Sequence, residues 1–420
     1  MLIKKQTLDI AITLLVVLAS GNPVVYYWFG KEVVLIGLPV LLFCYGFVRG
    51  LKLNKADILI FVAFVLIGLV HFIEFGASVM PATLGFLLKI VTALLLVRTV
   101  KDFPDAYARL MFGLAILSLV FFASQVLLGD TLRSHAQKVA IPYAPEVIHI
   151  GLHNFGLEIH AYRNSGFFWE PGAFAGYLMV AVIFLVMQKL GRGEDLKFDT
   201  TLSILTLALL STQSTTAYVG LTIFIFIFLY MKYGIRYVGR LMGAGILFIV
   251  AAYSAYVELA FLADKIDAQY EEVVSQDERY ELGRFGNAVY DLDSIKNRPL
   301  LGWSPYVETR TAVDYAVSDV IVGQGNGLTG LMVRFGLVGF LIYALFAYRF
   351  FLSHSRHVAY ALSATIILLV LLIGEQYLNY PLFLTMMFAG SKAVARMHKS
   401  RGHRIYMPWH MQNDRGIKAD

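Results

Sequence analysis

Twelve apolar runs, joined mostly by short charged loops, constrain this chain more than any other feature. A helix needs ~20 predominantly apolar residues to cross a bilayer, and most of the runs approach that length. Of the 420 residues, 58% are apolar and only 15% charged. Soluble domains hold about 45–50% and about 25%. A water-soluble fold of 47.0 kDa has too little interior to bury such an excess. The mean hydropathy of +0.67 agrees. These numbers exclude a disordered chain, a disulfide scaffold and an ordinary cytosolic enzyme. The length of the runs and the even spread of aromatics exclude an outer-membrane barrel, whose strands alternate over ~10 residues. The expected fold class is therefore all-α, a polytopic integral membrane protein of about twelve transmembrane helices.

The first five spans are expected at Leu8–Phe29, Val33–Val48, Ile58–Phe75, Ala82–Val97 and Ala106–Leu128. The next four are Phe168–Lys189, Thr201–Thr212, Thr216–Met231 and Leu241–Leu262. The last three are Gly327–Phe351, Val358–Tyr377 and Pro381–Val394. The chain then divides into residues 1–128 (helices 1–5), 129–165 (a first large loop) and 166–262 (helices 6–9). A second large loop, 263–325, and a last section, 326–420, with helices 10–12 and a basic tail, complete it. Lys4 and Lys5 ahead of an apolar stretch, with Ala19-Ser20-Gly21 behind it, resemble a signal peptide. The apolar stretch resumes from Val24 to Phe29, so it reads as an uncleaved first helix.

The net charge is +6 and the pI about 9.1. In a basic protein this first suggests nucleic acid. Here the excess bases sit in short loops between apolar runs, where they orient helices in a bilayer, so no nucleic-acid partner is expected. If Lys4 and Lys5 are cytoplasmic, so are Arg49, Lys52, Lys55, Arg98, Lys101, Lys189, Arg192, Lys232, Arg236, Arg349 and Arg356. The tail adds seven bases from Lys392 onward, whereas the short loops on the other side hold only Lys31. Both termini are expected inside. The lone Cys44 leaves no intrachain disulfide.

Two segments on the outer side break the short-loop pattern, Gly129–Ser165 and Ala263–Gly325. The second holds twelve acidic and six basic residues. Its aromatics, among them Tyr270, Tyr280, Phe285, Trp303, Tyr306 and Tyr315, argue for order. Glu278 to Lys296 reads as an amphipathic helix ended by Asn297-Arg298-Pro299.

Three stretches hold chemistry-bearing residues. In Arg163-Asn164-Ser165-Gly166-Phe167-Phe168-Trp169-Glu170-Pro171, Pro171 suits a first helical position and Glu170 the N-cap. A helix N-terminus with a nearby Arg is an anion site, though a plain capping carboxylate reads equally well. The second stretch is Arg284-Phe285-Gly286 with Asn297-Arg298-Pro299-Leu300-Leu301-Gly302-Trp303. An Arg in an acidic loop does not set topology, and the bland alternative is a surface ion pair. The third is Gln324-Gly325-Asn326-Gly327-Leu328 with Arg334-Phe335-Gly336-Leu337-Val338-Gly339. Arg334 lies ~12 Å into its helix at 1.5 Å per residue. An ionisable group there usually faces a polar cavity. Glu74, Lys89 and Glu375 share that logic, with snorkelling as the alternative for Glu74 and Lys89. His149 and His153 stand i,i+4, a spacing that places two ligands on one helix face, with Glu158 and His160 nearby. Solvated interfacial histidines are the simpler reading, and no metal is expected.

In this order and on twelve spans, these stretches resemble the O-antigen polymerase and ligase superfamily, Wzy-type polysaccharide polymerases more than ligases. The resemblance runs from about Thr131 to Gly390 and includes the Ser/Thr hairpin at Ser211 to Thr216. It implies a GT-C-like glycosyltransferase, metal-independent and without cofactor, in the bacterial inner membrane with its active site facing the periplasm. Such an enzyme moves a glycan from an undecaprenyl-diphosphate carrier onto the sugar of another carrier-linked repeat unit. Membrane lipid surrounds it, and a chain-length regulator protein is a partner the resemblance allows. In that reading Arg163 and Arg284 hold the diphosphate leaving group and Glu170 accepts the attacking hydroxyl's proton. Arg298, Asn326, Arg334, Trp303 and Tyr280 bind the substrates. One departure is Gly325, where ligase-like relatives often place a His beside the Asn. The base is then Glu170, or Asp319 in the loop. A ligase-like transferase and a transporter or flippase for lipid-linked sugars remain the competing classes. The lack of an internal repeat and the ordered sixty-residue loop stand against transport.

Overall fold

The computed structural model describes residues 5–139, 147–155, 162–234, 284–311 and 326–388, with 237, 239, 243, 245 and 247. The chain begins with α1 (Lys5–Gly21), α2 (Pro23–Phe29), α3 (Lys31–Val48) and α4 (Lys55–Phe75). It continues with α5 (Met80–Thr99), α6 (Phe103–Ser134), α7 (Pro171–Arg192), α8 (Thr200–Ser211) and α9 (Thr215–Tyr233). Then come α10 (Arg284–Asn297), α11 (Glu308–Thr311), α12 (Gly327–Ser355), α13 (Val358–Gly374) and α14 (Pro381–Leu384). Seven helices among the described residues are long and apolar enough to cross a membrane: α3, α4, α5 with its leading turn, α6, α7, α9 and α12. The bent pair α1 and α2 makes an eighth if taken as one broken span. The protein is a mainly helical, membrane-embedded molecule. Most of the expected ninth span, Leu241–Leu262, and the end of the twelfth lie outside the described residues.

Burial follows from position in the bundle. In α7 every residue from Pro171 to Phe184 is buried. It packs against α6, α8, α9, α12 and α13, so it is the central helix. By contrast α3 and α4 lie at the rim and turn Val33, Ile36, Val40, Phe47, Leu59 and Ile73 outward. A contiguous apolar face of that extent belongs against lipid rather than water.

Three expectations need correction. Leu8–Phe29 is not one helix, because the chain turns 91° between α1 and α2. Asn22 Oδ1 caps α2 by accepting from Val24 N and Val25 N, and Pro23 cannot continue the α1 hydrogen-bond ladder. Asn22 Nδ2 then donates to Leu152 O and Phe167 O, which ties this bend to the first large loop. Second, α13 stops at Gly374, so Glu375 lies past the helix end in extended backbone rather than within a span. Third, His149 and His153 share no helix. They lie on β2 (Val147–Ile150) and β3 (His153–Asn154), which with β1 (Gln137–Val139) form a small antiparallel sheet in the order β1-β2-β3.

The bundle has two chemically distinct ends. One carries ion pairs that range from exposed to fully buried: Arg49 with Asp9, Lys189 with Asp199, Arg192 with Asp105 and Arg98 with Asp57. Arg98 grips Asp57 with two bonds of 2.6 and 2.8 Å and donates a third to Phe388 O at 2.8 Å. Both side chains are sealed from solvent, which only a fully hydrogen-bonded pair tolerates. The other end gathers the small sheet, the start of α7, the turn between α8 and α9, the start of α12 and the end of α13.

Candidate functional site at the loop end of the bundle

The site is assembled around the start of α7. Pro171 takes the first helical position, and Glu170 takes the N-cap position with extended backbone. Its side chain makes no capping bond, so the plain capping role is not the one it plays. Beside it stands Glu375, whose side chain is buried. A Cβ on Gly172 would lie 2.8 Å from Glu375 Oε1 and 3.5 Å from Glu170 Oε1. The bare Gly172 thus leaves room for two carboxylates at one helix start. Tyr377 anchors this arrangement by donating to Gly172 O at 2.7 Å. The Trp169 and Tyr380 rings pack together at a tilt, with centroids 4.8 Å apart.

Arg163 sits on the turn between α8 and α9. Its Nε donates to Thr212 O at 3.1 Å and its Nη2 to Gln213 O at 3.2 Å. The carbonyls at a helix C-terminus lack intrahelical partners and carry partial negative charge, so a guanidinium suits them. Asn164 completes the clamp through Ser118 and Ser211. The Ser/Thr hairpin is therefore a docking element for the 163–166 segment.

The second and third sequence stretches explain each other. Helix α12 breaks at Gly336, where φ is +65° and ψ −173°. The break strands backbone groups, and the segment after α10 satisfies them. Leu337 N donates to Pro299 O at 2.7 Å, Val338 N to Leu300 O at 3.2 Å, and Trp303 N to Val333 O at 2.8 Å. Gly302 (φ +74°) allows this approach, since a Cβ there would meet Val333 O at 2.4 Å. Trp303 is buried and donates through its indole to Ser294 O. Arg298 lies over both Phe75 and Trp303, with ring centroids at 4.6 and 4.8 Å, and pairs with Glu74. Arg298, Trp303 and Glu74 thus secure the loop to α4. Asn326 has a local partner too: its Oδ1 caps α12 by accepting from Leu328 N and Thr329 N.

Arg334, expected to face a polar cavity, is a buried cation. It donates from Nε to Gly330 O at 2.8 Å and from Nη1 to Asn379 Oδ1 at 2.5 Å. Sequence reasoning passed over Asp291 and Arg310, which form a buried ion pair at 2.9 Å. Thr329 Oγ1 donates to the other Asp291 oxygen at 2.6 Å. Burial raises the Asp291 carboxyl above its ordinary range, against the opposing pull of Thr329 and Arg310. In the sequence Arg310 was one of six bases in an acidic loop, with nothing local to single it out.

His149 and His153 are buried, and His153 stacks on Phe121 at 4.6 Å. Among the described residues no group of three or more His, Cys, Asp or Glu side chains gathers as a metal cluster would. Tyr280, Asp319, Glu158, His160 and Gly325 lie outside the described residues. Arg284 opens α10, but its side chain is outside them as well. No family model matches this chain, and no curated protein sequence matches it either.

Proposed function

We propose that the chain is a glycosyltransferase that polymerises undecaprenyl-diphosphate-linked oligosaccharide repeat units at the periplasmic face of the inner membrane. The observation that carries this reading is Glu170. It stands at the start of the central helix, makes no capping bond to it, and shares the space over Gly172 with Glu375. A carboxylate so placed is suited to general-base work. In the proposed step the acceptor sugar's hydroxyl attacks the anomeric carbon of the donor glycan. Glu170 takes the hydroxyl proton, the anomeric C–O bond to the diphosphate breaks, and the lipid diphosphate leaves with that electron pair. Arginines near the loop end offset the charge that develops on the leaving group. Arg284 keeps that role in the proposal. Arg163, with two donors on the α8–α9 turn, holds the segment leading into Glu170 and acts on the leaving group through its remaining charge. In this reading the second large loop covers the site and excludes water, which would otherwise hydrolyse the donor.

The test is extension of a purified lipid-linked repeat unit by the purified full chain. Glu170→Gln should leave single units, a loss of about 100-fold or more in chain extension. Arg284→Ala should do the same, with only partial rescue by Lys, which lacks the two-pronged phosphate grip. Near-normal ladders from Glu170→Gln would remove the base assignment. Transfer only to a non-carrier acceptor would mark a ligase-like enzyme. Movement of the lipid-linked sugar across the bilayer without a new glycosidic bond would mark a transporter.

A further inference from the structure

The Asp291–Arg310 pair and Arg334 leave an electrostatic account unbalanced. Arg310 is 6% exposed and Arg334 8%. Arg310 spends Nη1 on Asp291, while Arg334 spends Nε on Gly330 O and Nη1 on Asn379. Arg310 Nε, Arg310 Nη2 and Arg334 Nη2 are buried and have no hydrogen-bond partner among the described residues. The two guanidinium groups and Asp291 feel one another's charge, and Lys89 on α5 lies within electrostatic reach of Arg334. One carboxylate thus faces two fixed guanidinium charges, with a third cation near. Buried donors without acceptors and buried charge without a partner are each strongly destabilising. Folded proteins leave few such groups unexplained, and among the described residues none supplies the acceptor and counter-charge that these donors call for.

The geometry narrows the class of anion. The orphan donors come from two different guanidinium groups on two different helices, α11 and α12. A planar carboxylate matches one guanidinium fork. A tetrahedral oxyanion turns different oxygens toward different forks. The bare Gly330 keeps the approach open, since even a Cβ there would stand 3.4 Å from Arg334 Nη2. We infer that Arg310 and Arg334 form a binding site for a phosphate or diphosphate group, with Asp291 as the fixed counterion that orients Arg310. This cluster adjoins the Glu170 and Glu375 site through Asn379 and the start of α12, but its binding requires no sugar chemistry. A phosphorylated lipid headgroup and a free phosphate or diphosphate present the same oxygens to it.

The test uses the full chain in nanodiscs of neutral lipid. One arm titrates inorganic pyrophosphate, and the other adds undecaprenyl phosphate to the bilayer. Each is read as a binding isotherm and as a shift in melting temperature. Binding in either arm supports the site, and the arm that responds identifies the source. Arg334→Gln keeps a donor for Asn379 but removes the charge, and should weaken binding about tenfold or more. Asp291→Asn preserves an acceptor for Thr329 and removes the competing negative charge, so it should tighten binding. A purely structural cluster predicts weakening or no change from Asp291→Asn. Should Arg334→Gln fail to fold, Asp291→Asn carries the test, since it retains both guanidinium groups. No binding in either arm, or unchanged affinity in the folded variants, overturns the inference. Chain products judge the polymerase reading and binding judges this one, so either can fail alone.

Discussion

His153 is held among Phe121, Phe155 and Phe167, with neither ring nitrogen hydrogen-bonded among the described residues. Burial pushes its pKa down to about 3. An unfolded histidine titrates near 6.5. Between those values the unfolded loop binds a proton that the folded loop does not. Stability therefore rises with pH across that window, and acidification below pH ~6.5 withdraws it progressively until the folded pKa is reached. The full effect is on the order of a few kcal/mol. Hydrogen exchange at the β2 and β3 amides should speed up sharply from pH 7 to pH 4, and His153→Phe should flatten that dependence. Equal protection at both pH values in the unmodified chain would contradict it. The sequence spacing of His149 and His153 suggested one helix face, but the deciding signal was Gly151. It takes φ +58° as the first of two turn residues between paired strands, a hairpin arrangement that glycine permits.

At the scale of elements, the two motif stretches around Gly302 and Gly336 turn out to be halves of one joint. Each was visible in the sequence, and both had been read as parts of a reactive site. Their contact was not legible, because it pairs backbone atoms thirty or more residues apart and leaves no side-chain periodicity. The joint makes a clear demand on Gly336: its φ of +65° with ψ of −173° is open to glycine almost alone, and a Cβ would stand 2.0 Å from Leu300 O. Gly336→Ala should cost about 1–3 kcal/mol from backbone strain, with more from the clash. Gly113 is a fitting control, being helical with no atom within 4 Å of a Cβ. Gly113→Ala should be neutral or stabilising by about 0.5–1 kcal/mol. Thermal unfolding in detergent compares the two, and similar melting temperatures would remove the joint from the account. Because the joint sits beside Arg334, its loss should also loosen the end of the bundle that holds Asp291 and Arg310.

Across the whole molecule, hydropathy placed most helices within a few residues, since burial in lipid demands apolar length and little else. It failed where a cap or a proline overrode composition. Asn22-Pro23 split one run into two helices, and α13 ended at Gly374, just ahead of Glu375 and Gln376. The Asp291–Arg310–Arg334 cluster escaped for a different reason: its members lie on three helices and meet only in the folded chain. The arrangement of charge does survive the comparison. Lys189, Asp199, Arg192 and Asp105 pair at one end of α7, and Glu170 lies at the other. Ser294 belongs to the Glu170 end through its bond to Trp303, whose own amide docks on α12 eight residues or fewer from its start. A reporter fused after Asp199 and one fused after Ser294 should therefore emerge on opposite sides of the membrane. The Lys- and Arg-rich segments resist translocation, so the Asp199 fusion should be cytoplasmic and fluoresce, and the Ser294 fusion should be external and show phosphatase activity. The opposite assignment of the two fusions would invert the orientation yet keep the fold. Both fusions on one side would require α7 to enter and leave the membrane by the same face, which a buried helix of 22 residues, ~33 Å long at 1.5 Å per residue, cannot do.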